Sequence, residues 1–416
     1  MKNYLVIQLA RFGDLIQTKR LLATLSARPD TQVHLCLDAS LEPLARLVYP
    51  DVVLHPIMAH GSGMSGPESA MKILVENRQA FALLAARDFD TVYNLNFSGL
   101  NFRLAALFDP DRVKGYGWNN GQEMIGKWPA MAMRWSNYRR LGMNLVDFWG
   151  GYCSDMISPE KVNPKARPKG DGIGVVLAGR ESRRSLPAPL LAKIIGTTVN
   201  MTKADSITLL GSAAERPAGQ TVLKEMPASL QSRTKNLAGQ TNWQQLVSTV
   251  GSLDMLLTPD TGTMHLAAHL GTPVTAFFLS SAWCFETGPY GEGHTVFQAR
   301  TDCLPCLEVS PCNEGVKCLN GFSDPAFMRF LATGKSEHAP AGILGFHSSF
   351  DALGQVYTPF AGDDADAEQR TALRNFIRHH LCGSEQGFSE LEHFFAQQLY
   401  RDKDWMTPEK PGDIHG

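Results

Sequence analysis

The sequence lacks any apolar run approaching the roughly 18–20 residues that a membrane-spanning helix needs. Charge is sparse as well: 19% of the 416 residues are Asp, Glu, Lys or Arg, against ~25% in a typical globular protein. That excludes a polyelectrolyte or disordered chain. Nor is there a basic surplus. Lys and Arg number 39 and Asp and Glu 41, so the charge balance gives no support to a general nucleic-acid binder. Eight cysteines are too few for a disulfide scaffold at this length. The opening MKNYLVIQLARFGD has one short apolar run before Arg11 and Asp14, without the longer stretch and small-residue cleavage site of a secretory signal. The expected compartment is therefore the cytosol.

What is present is a repeated grammar. Apolar residues make up 44% of the chain, enough for sizeable cores, and the length suits two or three domains. Tyr4–Leu9 reads as a buried strand, Leu15–Leu25 as a helix, and Val33–Leu37 and Thr91–Leu95 as further strands. After the proline- and lysine-rich stretch SPEKVNPKARPKGD at 158–171 the alternation starts again. Ile173–Leu177, Ser206–Leu210, Asp254–Thr258 and Val274–Leu279 read as strands, with helices over Ala188–Thr197 and from about Thr263 to Leu270. Strands alternating with helices give parallel sheets covered on both faces. The expectation is an α/β chain: a first domain over 1–157, a linker over 158–171, a second domain over 172–329 and an extension over 330–416. That extension reads as His- and Gly-rich loops followed by a helical tail over Asp366–Tyr400.

Two short segments carry chemistry. In LLTPDTGTMHLAAHLGTPVTAFF, residues 256–278, a strand ends, a turn holds Pro259–Gly262 and a helix begins. The free N–H groups of a helix start, its dipole and the hydroxyls of Thr261 and Thr263 suit a diphosphate. His265 falls in the first turn, where it can donate to the same group. The plainer reading is an Asp or Thr cap with a packing histidine. His265 and His269 are four apart but enclose no acidic residue, so the pattern is not a zinc HExxH. The second segment is Phe12-Gly13-Asp14, where Gly13 permits a sharp strand-to-helix turn. Asp14 there is either a helix cap or a general base for a substrate hydroxyl.

Together these segments resemble glycosyltransferase family 9, the heptosyltransferase family. The resemblance rests on YLVIQLARFGDLIQT near the N-terminus and on the run Asp260-Thr261-Gly262-Thr263-Met264-His265-Leu266-Ala267-Ala268 with Pro273. Between them FDTVYNLNFSGLNFRLAALFDPDRVKGY (89–116), TLLGSAAERPAG (208–219) and NLAGQTNWQQLVSTVGSLDMLLTPDTG (236–262) follow in the family's order. The resemblance covers roughly residues 3–325. It implies a GT-B fold, two Rossmann-like domains facing across a cleft, with the acceptor on the first domain and a nucleotide-sugar, typically ADP-heptose, on the second. It implies an inverting, metal-independent transfer of heptose to a lipopolysaccharide core acceptor. By position, Asp14 is the base and Arg184 the cation that neutralises the leaving phosphate. Thr261, Gly262, Thr263 and His265 hold the diphosphate, Asp260 contacts the donor sugar and Glu215 the ribose. The chain departs from the pattern at Arg184-Ser185-Leu186-Pro187, where the family has Lys-x-Trp-Pro. It departs again at Arg11 and Phe12, which replace small residues, and in AHGSGMSGPES (59–69), which has no counterpart.

Four of the eight cysteines crowd together as Cys303-x2-Cys306-x5-Cys312-x5-Cys318. Four thiolates at that density suit a structural zinc or iron site, the alternative being reduced structural thiols. Basic residues gather at Arg134, Arg139 and Arg140 and in the linker, either as a solvated face or as a surface for a phosphorylated, lipid-linked acceptor. The latter would make the protein peripheral to the inner face of the cytoplasmic membrane. Trp118, Trp128 and Trp135 read as core packing or as contacts to lipid or sugar. Three rival functions stand beside lipopolysaccharide heptosyl transfer: a protein-modifying heptosyltransferase with the cysteines as a metal module, a nucleotide-sugar 2-epimerase, and a non-catalytic nucleotide-binding protein.

Overall fold

The computed structural model describes residues 1–60, 67–138, 140–177, 182–308, 310–383 and 388–400. Arg139 and most of the 59–69 loop lie outside them. The first sheet contains β1 (Lys2–Gln8), β2 (Thr31–Asp38), β3 (Val53–Ile57), β4 (Thr91–Asn94), β5 (Val113–Asn119) and β6 (Gln122–Ile125) in the order β3-β2-β1-β4-β5-β6. All its pairings are parallel except the closing β5–β6 hairpin. The second contains β7 (Ile173–Val176), β8 (Ile207–Leu210), β9 (Thr234–Asn236), β10 (Met255–Pro259), β11 (Val274–Phe278), β12 (Thr295–Ala299), β13 (Ile343–Phe350) and β14 (Gln355–Ala361). Its order is β14-β13-β12-β11-β10-β7-β8-β9, parallel up to β12 and antiparallel beyond. Strands such as β1 and β11 are near-continuous apolar runs because helices cover both faces, and Leu5, Val6, Ile7, Ala276 and Phe278 are fully buried.

Each sheet reverses its winding direction once, between β1 and β4 in the first and between β7 and β10 in the second. Loops leaving the strand ends at such a reversal diverge to opposite faces and open a crevice where ligands sit. Here the two crevices face each other, which fixes where a site must be sought.

Three elements differ from the sequence reading. The helix expected over Leu15–Leu25 is two helices, Phe12–Gln17 and Lys19–Ser26. They break at Thr18, whose hydroxyl donates to Asp14 O (2.8 Å) and accepts from Gln8 Nε2 (3.0 Å), a side chain competing with the helical backbone. The stretch read as loops contains the β13–β14 hairpin, and a short helix, Pro325–Thr333, straddles its expected start. Its glycines and polar residues hide a strand whose Ile343, Leu344 and Phe346 are buried, and Gly345 is the point where the Phe330 and Phe360 rings leave no room for a Cβ. The tail is two helices, Ala367–Cys382 and Glu390–Leu399, the first ended by Gly383 in the left-handed region (φ +64°).

The tail crosses back to the first domain. Arg134 donates to Leu399 O (3.0 Å), Tyr138 meets the rings of Phe394 and Phe395, and Trp128 stacks on His380. Arg140 donates to the carbonyls of Leu304, Thr301 and Asp302. Trp128 and Trp135 form a ring cluster with Phe148, and Arg103 lies 4.2 Å over the Trp118 ring. Two of these arginines and all three tryptophans therefore serve intramolecular packing. Among the described residues no helix is long and apolar enough to cross a membrane.

Candidate functional site

The site begins where β1 runs out. Gln8 is fully buried and bridges the next turn to the neighbouring strand end: it donates to Thr18, and its Oε1 accepts from Asn96 Nδ2 (2.5 Å) and Ala10 N (3.3 Å). Asn96 in turn accepts from Leu9 N (2.7 Å). This strut holds the start of the Phe12–Gln17 helix, so that Asp14 sits in the crevice with Oδ2 accepting from Arg11 N (3.2 Å). Burial raises the Asp14 carboxyl above its usual range, against the pull of that hydrogen bond and of the Arg11 charge. A carboxylate made more basic in this way is suited to take a proton.

The facing wall is the start of the Gly262–Leu270 helix, after β10. Thr261 caps it, its Oγ1 accepting from Met264 N (3.3 Å) and pairing with Thr258 Oγ1 (3.1 Å). The remaining N–H groups of the first turn point at the cleft. Asp260 is ion-paired with Arg184, accepts from Thr287 Oγ1 (3.0 Å) and lies 3.8 Å from His265 Nε2. Burial raises the Asp260 carboxyl and the Arg184 charge opposes that. Burial and the same arginine push His265 down to about 3, so its ring is neutral at neutral pH. Glu215, beyond β8, closes a capping box with Ser212.

Glycines make the two walls meet. A Cβ on Gly262 would stand 2.3 Å from the Phe12 ring, and one on Gly13 would stand 3.1 Å from His265 Cδ2. The result is a cleft of about 1130 Å³ lined by Asp14, Arg184, Glu215, Asp260, Thr261, Gly262, Thr263 and His265 together. All eight residues singled out for catalysis and donor binding thus converge. The arrangement offers a basic carboxylate on one wall, and a cation with unfilled helix N–H groups on the other. Asp88 and Asp90, by contrast, precede β4 at the far end of the sheet, where Asp88 pairs with Arg112 and Asp90 accepts from Asn3 N.

The family model of glycosyltransferase family 9 (heptosyltransferase) matches residues 198–317, which include Glu215 and the whole Asp260–His265 run. That segment is similar to glycosyltransferase family 9. Lipooligosaccharide heptosyltransferase 2 of Haemophilus influenzae is 32% identical over 78 residues, 19% of this chain and 22% of that protein. The match to such curated relatives thus spans about a fifth of their length. Among solved structures, ADP-heptose lipopolysaccharide heptosyltransferase II of Escherichia coli superposes with a TM-score of 0.52 at 20% identity, covering 77% of this chain and 98% of that one. Heptosyltransferase WaaC of Escherichia coli with ADP gives 0.51 at 15% identity, covering 72% and 93%. Likeness at that identity establishes the fold, and the fold is GT-B.

Several cleft residues escaped the sequence reading. Gln8, Asn96 and Thr287 are single polar residues with no pattern around them; only the sheet order brings them to the cleft. Trp243, which meets Phe12 edge-on at 5.0 Å, follows Asn242 in an Asn-Trp-Gln-Gln capping box that was legible. Glu308 lies in the cysteine-rich loop and reaches the cleft beside Arg184, 3.9 Å away. Arg183, the other arginine of that pair, points elsewhere and donates to the carbonyls of Leu307, Glu308 and Ser310.

The cysteine cluster does not present a formed metal site. Cys303, Cys306, Cys312 and Cys318 are free thiols. Among the described residues no group of three or more His, Cys, Asp or Glu side chains is arranged to hold an ion. Cys306 Sγ is directed at Cys303 O (3.7 Å), Cys303 Sγ at the Thr301 hydroxyl (3.3 Å), and Cys312 accepts from Val316 N (3.3 Å). The four thiols are also neighbours: Cys303 and Cys312 both act on the Cys306 thiol, and Cys303 and Cys306 on that of Cys318.

Proposed function

We propose that this chain is an inverting glycosyltransferase that moves a heptose from ADP-heptose to a lipopolysaccharide core acceptor, without a divalent ion. The observation that carries the reading is the juxtaposition, across one cleft, of the basic Asp14 carboxylate and the Asp260–Arg184 pair at a helix N-terminus. In this reading the first domain, 1–157, holds the acceptor and the second, 172–329, the donor, with 158–171 linking them. Asp14 removes the proton from an acceptor hydroxyl while that oxygen attacks the anomeric carbon. The bond from that carbon to the β-phosphate oxygen breaks, and ADP leaves with the electron pair. A single displacement from the opposite face inverts the centre. Arg184 and the N–H groups of Thr261–Thr263 take up the negative charge growing on the diphosphate, as preorganised donors do most effectively. His265, neutral, donates a hydrogen bond there, and Glu215 receives the ribose. The chain works in the cytoplasm and meets its lipid-linked acceptor at the inner face of the cytoplasmic membrane.

The test is transfer followed by mass spectrometry, with ADP-heptose, other nucleotide sugars and a deacylated lipopolysaccharide acceptor mixture. Wild type is expected to add one heptose mass, and Asp14→Asn to lose about 100- to 10,000-fold in rate, the span of general acid–base catalysis, while still binding ADP. Nucleotide binding without transfer from any donor would sink the transferase reading. A free epimerised sugar formed without acceptor would replace it with an epimerase.

A further inference from the structure

The cleft holds a third carboxylate that the reading above leaves without a task. Glu308 Oε1 is 3.9 Å from Arg184 Nη1, and its side chain is 41% exposed where that of Asp260 is 9%. Both Arg184 and Thr287 already donate to Asp260 Oδ2. Glu308 is therefore the carboxylate that presents more of its surface to a ligand.

Its position is enforced. Among its described residues the loop from Thr301 to Ser310 has no helix or strand of its own, yet arginines from both domains grip its backbone. Arg183 donates to the carbonyls of Leu307 (3.1 Å), Glu308 (2.6 Å) and Ser310 (2.6 Å). Arg140 donates to those of Thr301, Asp302 and Leu304 (3.1, 3.1 and 2.9 Å). Cys306 N donates to Ser280 O (3.1 Å). A side chain on a loop so held has a fixed origin from which to reach the cleft.

Glu308 also faces the reacting centre. Asp14, Asp260 and Glu308 line one cleft together with Arg184; burial is the main cause that raises the Asp14 and Asp260 carboxyls, and the Glu308 charge adds to it. Like charges gathered in this way repel, and a ligand that donates several hydrogen bonds relieves the repulsion. A sugar does so, and O–H to carboxylate bonds are among the stronger ones.

Building on the donor-site reading, we propose that Glu308 accepts hydrogen bonds from hydroxyl groups of the transferred sugar and so determines which sugar is taken, with Arg183 as its positioning residue. The nucleotide is held by the other wall, and Glu308 adds affinity only for what is attached to it. A side chain placed to accept from a particular hydroxyl discriminates against analogues that lack it.

Calorimetric titration of wild type, Glu308→Gln, Glu308→Ala and Arg183→Met with ADP and with ADP-heptose tests this. ADP affinity is expected to stay within twofold in all four. Affinity for ADP-heptose should fall tenfold or more in Glu308→Ala, and by less in the isosteric Glu308→Gln, which guards against misfolding. In Arg183→Met it should fall three- to tenfold. Equal losses for ADP and ADP-heptose would overturn the inference, because Glu308 would then act through Arg184; so would no loss for either. A wild type that binds neither ADP nor any nucleotide sugar would instead overturn the donor-site reading, whatever the variants do.

Discussion

Two of the buried arginine–aspartate pairs among the described residues share their chemistry and have opposite surroundings. Arg20 and Asp147 are fully enclosed, and their hydrogen bonds are filled. Asp147 accepts from Arg20, from Tyr290 OH (2.7 Å) and from Gln355 N (2.7 Å), while Arg20 donates to the carbonyls of Ile157 and Leu353. The pair ties the first domain to the β13–β14 hairpin, whose Gly354 has no room for a Cβ against Asp147. Arg184 and Asp260 are nearly as buried, yet among the described residues Arg184 Nε has no hydrogen-bond partner, and the pair opens on the cleft. A buried charge whose hydrogen-bonding capacity is filled holds structure together. Where the capacity is incomplete and the pair also opens on a cleft, as at Arg184, a donor is left for a ligand; an unfilled buried donor is a net cost.

That contrast can be broken by four measurements. The largest effect should come from Asp147→Ala. Removing one partner strands a buried guanidinium, and chemical denaturation is expected to show a loss of about 3–5 kcal/mol. A loss below about 1 kcal/mol would make the two pairs equivalent. Arg184→Met should act mainly on activity, with transfer slowed about 100- to 1,000-fold, as for the loss of a preorganised charge-stabilising donor. Its stability should fall too, because Asp260 is left buried without its counter-charge, but by less than in Asp147→Ala, since this pair opens on the cleft.

A smaller effect concerns Asp14. Its folded carboxyl is raised above the unfolded value of 3.8 by burial. Its contribution to stability is therefore full in acid, below the unfolded value, and is lost as pH rises through the raised one. Asp14→Asn should accordingly melt higher than wild type at pH 7, with the gain vanishing in acid, while wild-type transfer falls on the acid side as the base becomes protonated. An acid limb at the ordinary carboxylate value would count against burial of the base. Smallest is an acid sensitivity that belongs to neither pair. His294 is buried, its Nδ1 accepts from Val274 N (3.2 Å), and its pKa is lowered to about 4. A lowered histidine stabilises the fold above the unfolded value of 6.5 and loses that contribution as pH falls toward 4. His294→Gln should flatten part of the wild-type decline in melting temperature between those limits; an unchanged slope would assign the decline to other groups.

Much of this was legible in the chain itself. β1, β2, β4, β7, β8, β10 and β11 lie within one or two residues of where apolar runs placed them, since a strand buried on both faces writes itself as Val, Ile and Leu. The helix start at Gly262 was legible from Asp, Thr and Gly at a strand end. β13 and β14 were not, because this antiparallel hairpin at the edge of the sheet carries polar and glycine residues that read as loop.

The sequence by itself determined the alternation, the two strand-to-helix turns and the residue types they carry, because these depend on local backbone sterics and on the period of apolar residues. It also determined that Asp14 and His265 exist as candidates. Only the tertiary structure decided that they share a cleft, that Arg184 rather than Arg183 faces it, and that Glu308 and the Gln8–Asn96 strut belong to it. Those facts depend on the order of strands in two sheets and on how closely Gly13 and Gly262 let two helix ends approach. Neither is encoded within the span of any short motif.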